Sequence, residues 1–257
     1  MSKRNKVIAI ANQKGGVGKT TTSINLAVGL AKLNKAVLLI DLDPQGNATM
    51  GCGISSREVE PNACDMLMAE VNINDVILEA KNSGIDLIGS NTDLTAAELQ
   101  LMKQSTPEKV LKKQIKAIEK NYDYIIIDCP PSLNILTINA LVAAKGVIIP
   151  MQCEYYALEG LASLMQTIER IQSTVNPELQ IEGIIRTMFD GRNNLANDVS
   201  AQLISHFDSK VYVTVIPRNV RVAEAPSHGM SVIEYDDSSR GAIAYLGLAG
   251  EVIRGNN

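Results

Sequence analysis

The sequence predicts an α/β fold, a single domain over residues 1–257 in which a mostly parallel, twisted sheet carries helices on both faces. Three observations predict it. Near-continuous apolar runs at Lys6–Asn12, Ala36–Ile40, Tyr122–Asp128 and Gly146–Met151 lack the polar alternation of a half-solvated strand, so both faces must be covered. Segments with apolar residues at helical spacing stand between such runs, and parallel strands need connectors of that kind. Two of the runs close on carboxylates, Asp41 and Asp128, and the carboxyl ends of parallel strands face the crevice where open α/β sheets bind ligands. The length suffices for a sizeable core.

Strand one, Lys6–Asn12, passes into Gln13-Lys-Gly-Gly-Val-Gly-Lys-Thr20 and then into a helix over Thr20–Leu33, with Ile24, Leu26, Ala27, Leu30 and Ala31 toward the sheet. The glycines therefore fall in a strand-to-helix turn. Gly15, Gly16 and Gly18 have no Cβ to keep the backbone off an anion, so successive amides, Val17 among them, can point at phosphate oxygens. The helix N-terminus adds partial positive charge. Lys19 can reach the β and γ phosphates, Thr20 can ligate magnesium bridging the same oxygens, and Thr21 follows on the first helical turn. A dinucleotide fingerprint is not met, because no third glycine follows Gly18. A plain glycine turn capped by threonine would leave the Lys19-Thr20 pair without a reason.

Against the G-x-x-x-x-G-K-[ST] template, Gln13 replaces the first glycine and an extra lysine, Lys14, precedes the others. The chain thereby resembles the deviant Walker A P-loop NTPases, signature K-G-G-x-G-K-[TS], which include the ParA/Soj partition proteins, the MinD proteins and the nitrogenase iron protein. That resemblance implies a single P-loop NTPase domain, ATP and Mg2+ as cofactors, and a nucleotide-sandwich dimer in which Lys14 reaches the partner's phosphates. A second cation there suits phosphoryl transfer, where stabilising charge on the transferred group matters most.

The run Ala36–Ile40 ends in Asp41-Leu-Asp-Pro-Gln-Gly-Asn47, similar to the A′ motif of ParA-type proteins. The resemblance puts the water-positioning role on Asp43 and Asp41 nearer the metal; a simple acidic loop cap is the plainer alternative. Segment 48–82 reads as loop with one or two short helices. A short strand is expected at Ile85–Gly89, and helices at Leu94–Met102 and Glu108–Lys120, the latter with Val110, Leu111, Ile115 and Ile118 inward and its lysines in solvent. Tyr122–Asp128 has the form of a Walker B strand, with Asp128 holding magnesium through water and Pro130 and Pro131 fixing the next loop.

After Gly146–Met151, a helix leads from Glu154 through Thr174 with Leu158, Leu161, Leu164, Met165, Ile168 and Ile171 as its core stripe. In the family its start lies near the dimer surface, which makes Glu154 and Tyr155 interface candidates. Strands are expected at Ile181–Thr187, Val211–Ile216 and Ser231–Ile233, then a helix over Ser239–Ile253 with Ala242, Leu246, Ala249 and Ile253 on one face. Arg186, where many relatives are apolar, is open between nucleotide, partner and solvent. Ile216 to Gly229 resembles the ParA/Soj segment whose Pro-Arg-Asn turn, here Pro217 to Asn219, contacts adenine. His228, with no partner in sequence, reads as a turn residue. The family's DNA-contacting arginines fall on Arg192 and Arg221; surface pairing with Asp190 or Glu224 is the plainer reading.

The formal net charge of −4 gives no electrostatic prior for nucleic acid, and two Phe with no Trp offer no obvious stacking platform for single strands. Cys52, Cys64, Cys129 and Cys153 show no paired spacing, which argues against a cluster or metal site. The basic Met1–Lys6 stretch is followed by too short an apolar run for a signal peptide, no run is long enough to span a bilayer, and the end at Glu251–Asn257 has no basic amphipathic anchor. The resemblance runs from the phosphate loop to the last helix, with no helix pair ahead of Lys6, the pattern of the small chromosomal type. It implies a cytoplasmic, nucleoid-associated ATPase that dimerises on ATP, binds nonspecific double-stranded DNA and is stimulated by a ParB-type partner, with no membrane contact. A MinD-like spatial regulator and a nucleotide switch without DNA are the alternatives.

Overall fold

The computed structural model describes residues 5–80 and 83–255; the basic residues 1–4, the end of the 48–82 segment and the last two residues lie outside that range. Its strands are β1 (Lys6–Ile10), β2 (Val37–Asp41), β3 (Leu78–Ala80), β4 (Ile85–Ile88), β5 (Tyr124–Asp128), β6 (Gly146–Gln152), β7 (Gln180–Phe189) and β8 (Val211–Pro217). They form one sheet in the order β3-β4-β2-β5-β1-β6-β7-β8. Each pairing is parallel except β3 with β4.

Alternation along the central strands explains the unbroken apolar runs. Val7 and Ala9 of β1, Leu38 and Ile40 of β2, and Ile125 and Ile127 of β5 enter one core. Their neighbours Ile8, Ile10, Val37, Leu39, Tyr124 and Ile126 enter the other. The first core is closed by α4 (Leu94–Leu101), α5 (Val110–Lys116), α6 (Ile135–Ala143), α7 (Ala157–Thr174) and α8 (Asn194–Phe207). The second is closed by α1 (Lys19–Lys32) and the C-terminal helix α11 (Arg240–Arg254). Burying each such Leu or Ile stabilises the fold by roughly 1.5–3 kcal/mol, so a polar residue at any of these strand positions would be costly.

Four details differ from the sequence reading. Ser231–Ile233 is not a strand: Ser231 caps the short helix α10 (Val232–Tyr235), its hydroxyl accepting from the Glu234 amide while the Glu234 carboxylate accepts from the Ser231 amide. Segment 48–80 holds, besides the expected short helices α2 (Asn47–Gly51) and α3 (Ala63–Leu67), the antiparallel edge strand β3, too short to show periodicity. The helix α6, for which the sequence reading gave no element, precedes the expected strand β6, with buried Asn139 accepting from the Leu111 amide and donating to Pro107 O. On α11 the buried side chains are Ala242, Tyr245, Leu248, Ala249 and Val252, with Leu246 and Ile253 only partly covered. Tyr245 is the residue that rotates the stripe, because its ring is wholly buried beside Thr22 of α1.

Candidate functional site

The loop from Lys14 to Gly18 leaves the carboxyl end of β1 and turns directly into α1. Gly16 and Gly18 hold φ of +75° and +84°, the left-handed region in which a side chain is strained. A Cβ on Gly15 or Gly16 would meet nothing within 4 Å, so the loop's inner face is an open cradle. Gly18 caps α1 without a side-chain acceptor, leaving the helix start free to receive an anion. Behind the loop, Asn12 donates to Pro150 O at 2.7 Å and accepts from the Lys14 amide at 3.0 Å, while Thr187 Oγ1 donates to Val17 O at 2.8 Å. These bonds hold the cradle against β6 and β7.

The two lysines occupy opposite situations. Lys19 is buried, its Nζ donating to Lys14 O at 3.1 Å, and burial pulls its pKa down against the opposing pull of Asp128, Cys129 and Asp43. Lys14 points outward and, among the described residues, is ion-paired with Glu154 alone, on the loop before α7. A cavity of about 350 Å³ opens above the loop, walled by Gly15, Gly16, Lys19, Thr20, Asp43 and Pro131 among others.

Asp41 and Asp128 are register partners on β2 and β5. Both are fully buried, and burial raises both pKa values, with the charge of Asp43 adding to each and that of Asp41 adding to Asp128. Their oxygens differ. Asp41 is fully occupied, Oδ1 accepting from the Asp43 amide at 3.0 Å and Oδ2 from the Thr49 amide and hydroxyl at 2.9 and 2.7 Å. Asp128 Oδ1 accepts from Ser23 Oγ at 2.7 Å, the nearby Thr20 hydroxyl favours the charged carboxylate, and among the described residues Oδ2 is buried without a hydrogen-bond partner. Such an orphaned acceptor beside Thr20 suits a cation and its water. Asp43 reaches the cavity wall, with Oδ1 accepting from the Gln45 amide at 3.0 Å. Thr20, Asp43 and Asp128 are thus brought together, whereas Asp41 is committed to shaping the loop.

A second cavity of about 310 Å³ adjoins the first across Gly18, Thr21 and Met188, and is lined by Pro217, Asn219, Val222 and Tyr245. The Asn219 side chain caps α9 (Val220–Glu224), accepting from the Val222 amide, which sets the turn after β8. The pair joins an end lined by glycines, Lys19 and Asp43 to an end lined by Ile216, Pro217, Val222 and Tyr245. Met188, at the shared wall, was not legible in the sequence. Its φ of +48° is unusual for a long side chain, and the register irregularity between Arg186 and Phe189 in the β7 and β8 pairing is the cause of its exposure to both cavities.

Arg186 faces neither cavity. It is buried, donating to Ser200 Oγ at 3.0 Å and to the carbonyls of Tyr212 and Val213 at 2.9 and 3.1 Å, and its desolvation lowers its pKa. Arg192 and Arg221 are on the surface. Arg192, with its side chain 92% exposed, forks onto Asp190 through Nε and a terminal nitrogen at 2.9 and 2.7 Å, and these bonds hold the Asp190 carboxyl down at about 2. Arg221 pairs with Glu224 at 2.9 Å and Asp236 at 3.3 Å. Tyr155 and Tyr156 are exposed and packed edge to face beside Glu154. His228 stacks on Tyr235 at 4.8 Å. Cys52, Cys129 and Cys153 are buried and Cys64 is partly so. Among the described residues no helix is long and apolar enough to cross a membrane.

Comparisons with known proteins agree with this geometry. The AAA domain family matches residues 5–181. The sporulation initiation inhibitor protein Soj of Bacillus subtilis is 53% identical over 247 residues, covering 96% of this chain and 98% of its own. The chromosome partitioning protein ParA of Caulobacter vibrioides is 49% identical, covering 96% of this chain and 94% of its own. Among solved structures, cobyrinic acid a,c-diamide synthase from Mycobacterium smegmatis with bound ATP analog and magnesium superposes with a TM-score of 0.86 at 34% identity, over 98% of this chain and 95% of that one.

Proposed function

The chain belongs to the ParA/Soj family of chromosome-partitioning ATPases, and from that premise we propose that it is an ATP-driven DNA-segregation switch, one domain over 1–257, working in the cytoplasm on the nucleoid. ATP binding builds a homodimer, the dimer holds double-stranded DNA without regard to sequence, and a ParB-type partner stimulates hydrolysis and release. No membrane takes part.

In this reading the γ-phosphate end of ATP lies on the amides of Lys14 to Thr20, with Lys19 of the same subunit beside it and the base toward Pro217 and Asn219. Thr20 and, through water, Asp128 are the residues that would hold Mg2+, which supplies charge neutralisation on the phosphates when bound. Asp43 orients the water that attacks the γ-phosphorus as the bond to the β-phosphate oxygen breaks. Asp41 acts through Asp43, by fixing its amide.

The observation that carries the reading is the contrast between the lysines. Lys19 is buried in the cradle of its own chain, whereas Lys14 stands outside it on one exposed ion pair, a contact of little energetic worth that a partner's phosphate can replace. Light scattering with ATP, ADP and no nucleotide tests it. Dimers are expected with ATP alone, and Lys14→Ala should lose them while keeping nucleotide affinity within a fewfold of the parent. An ATP dimer of undiminished stability in Lys14→Ala would remove the trans role. Duplex DNA binding under the same three conditions is expected only with ATP.

A further inference from the structure

We infer that a backbone contact between Gly53 and Gly229 is a positioning joint through which the base end of the nucleotide site sets the place of Asp43, so that the identity of the base is read in turnover as well as in affinity. The inference rests on the ATP-hydrolysing reading above and adds two residues that line neither cavity.

The two ends of the site come from segments far apart in the chain. The base-end cavity is walled by Asn219, Val222 and, from the single turn Ala225–His228, Pro226. The phosphate-end cavity is walled by Asp43, Gln45 and Asn47, the last being the first residue of α2. These segments meet again outside both cavities, where the chain leaving α2 runs against the residue that ends the Pro226 turn. A Cβ on Gly229 would lie 2.7 Å from Gly53 Cα and 3.2 Å from its nitrogen, and one on Gly53 would lie 3.0 Å from Gly229 O. Both residues hold left-handed backbone, with φ of +79° at Gly53 and +63° at Gly229. No side chain fits between them.

Each side of the joint is tied to one end of the site. Gly229 donates its amide to Pro226 O at 3.0 Å, and shortly beyond it the Val232 amide donates to buried Asn25 of α1 at 2.8 Å. That segment is therefore anchored to the helix that leaves the phosphate loop. On the other side Gly53 donates to Met50 O at 2.9 Å, Met50 to Gly46 O at 3.0 Å and Gly46 to Asp43 O at 2.9 Å, a continuous ladder of backbone bonds from the joint to the water-positioning residue. Asp41 grips the same short helix through the Thr49 amide and hydroxyl. A helix of five residues held in this way moves as one piece, so a displacement at Gly53 is carried to Asp43. A base seated against Pro226 thus has a solid path to Asp43 that does not pass through the phosphate loop. Gly53 is exposed and Gly229 only partly buried, so the close approach serves placement and adds little to the core.

The test compares single-turnover hydrolysis of saturating ATP and of saturating inosine triphosphate, which differs from ATP only in its base, with the affinity for each measured separately and light scattering to follow the ATP dimer. The proteins are the unaltered chain, Gly229→Ala, Gly53→Ala and Gly84→Ala. Gly84, in the turn before β4, has φ of +64° and nothing within 4 Å of a Cβ, so it reproduces the backbone strain without a joint. The unaltered chain is expected to hydrolyse bound ATP several-fold faster than the bound inosine nucleotide. In Gly229→Ala the ATP rate should fall about tenfold with ATP affinity kept within about threefold, and the two nucleotides should be hydrolysed at nearly equal rates. Gly53→Ala should show the same pattern at smaller amplitude, because its Cβ meets a carbonyl oxygen less closely, and it carries the test if Gly229→Ala does not fold. Gly84→Ala should lose stability alone. ATP rates in both joint variants equal to that of Gly84→Ala, or equal saturating rates for the two nucleotides in the unaltered chain, overturn the joint while leaving ATP hydrolysis intact. Loss of the ATP dimer in both joint variants would make the contact an assembly feature and overturn it as well. Absence of any ATP hydrolysis by the unaltered chain would instead overturn the reading on which it rests.

Discussion

The three carboxylates at and behind the phosphate cradle do different work because their surroundings differ. Asp128 keeps one buried oxygen without a partner, Asp41 has none to spare, and Asp43 stands at the cavity wall. A buried carboxylate with one oxygen unpaired costs several kcal/mol in desolvation unless it takes up a proton or a cation. Asp128→Asn should therefore leave the melting temperature of the nucleotide-free protein unchanged or raised, and should remove the extra stabilisation that Mg2+ adds in the presence of ATP. Asp43→Ala is expected to behave differently. Orienting water matters mainly in the transition state, so turnover should fall by tenfold or more with ATP affinity nearly kept, and the variant should accumulate as the ATP dimer. Differential scanning fluorimetry and single-turnover hydrolysis measure the two effects. Equal losses of affinity and turnover in Asp43→Ala would assign it a structural role.

At the scale of elements, the outer strand β8 is held from two sides. Arg186 of β7 donates to the carbonyls of Tyr212 and Val213, and Glu251 of α11 accepts from the amides of Val213 and Thr214 at 3.1 and 2.8 Å. These bonds satisfy backbone groups where the β7 and β8 register is irregular, and they cover part of an edge that could otherwise pair with another chain. Hydrogen bonds to a charged group are worth about 1.5–3 kcal/mol, so Arg186→Ala, which orphans two carbonyls, should lower stability by about 3 kcal/mol in urea unfolding. Arg186→Met should cost less by filling the space. Neither should alter nucleotide affinity per folded molecule, since Arg186 lines neither cavity. A selective loss of ATP binding at parental stability would contradict this bracing role.

For the whole molecule, the acidic balance sets the behaviour on DNA. One protomer sets 24 Lys and Arg against 28 Asp and Glu, so no overall positive field favours DNA, and doubling the local basic surface in an ATP dimer is expected to favour DNA binding in the ATP state. With about six phosphate contacts per dimer, affinity should fall on the order of 10³-fold between 50 and 200 mM salt, independent of sequence. A shallower slope of about three in the ATP state would show that only one protomer's surface meets the DNA. Isothermal titration at a series of salt concentrations decides it.

The cradle, the central sheet and its acidic strand ends were legible in the sequence, because a phosphate loop and a parallel strand impose local rules: glycine where φ is positive, unbroken apolar runs where both faces are covered. The helix at Ile135–Ala143, the cap at Ser231 and the stripe on α11 were less so, since periodicity in a wholly apolar stretch cannot separate helix from strand and a buried Tyr245 carries weight that composition does not reveal. Tertiary structure alone decided which oxygen of which aspartate is left unpaired, that Arg186 is a brace between strands, that Met188 divides two cavities, and that Gly53 and Gly229, far apart in the chain, meet backbone to backbone. The physical reason is common to all four. Each depends on contacts between elements remote in sequence, where distance, burial and competing partners determine what a side chain can do, and none of these is a property of neighbouring residues along the chain.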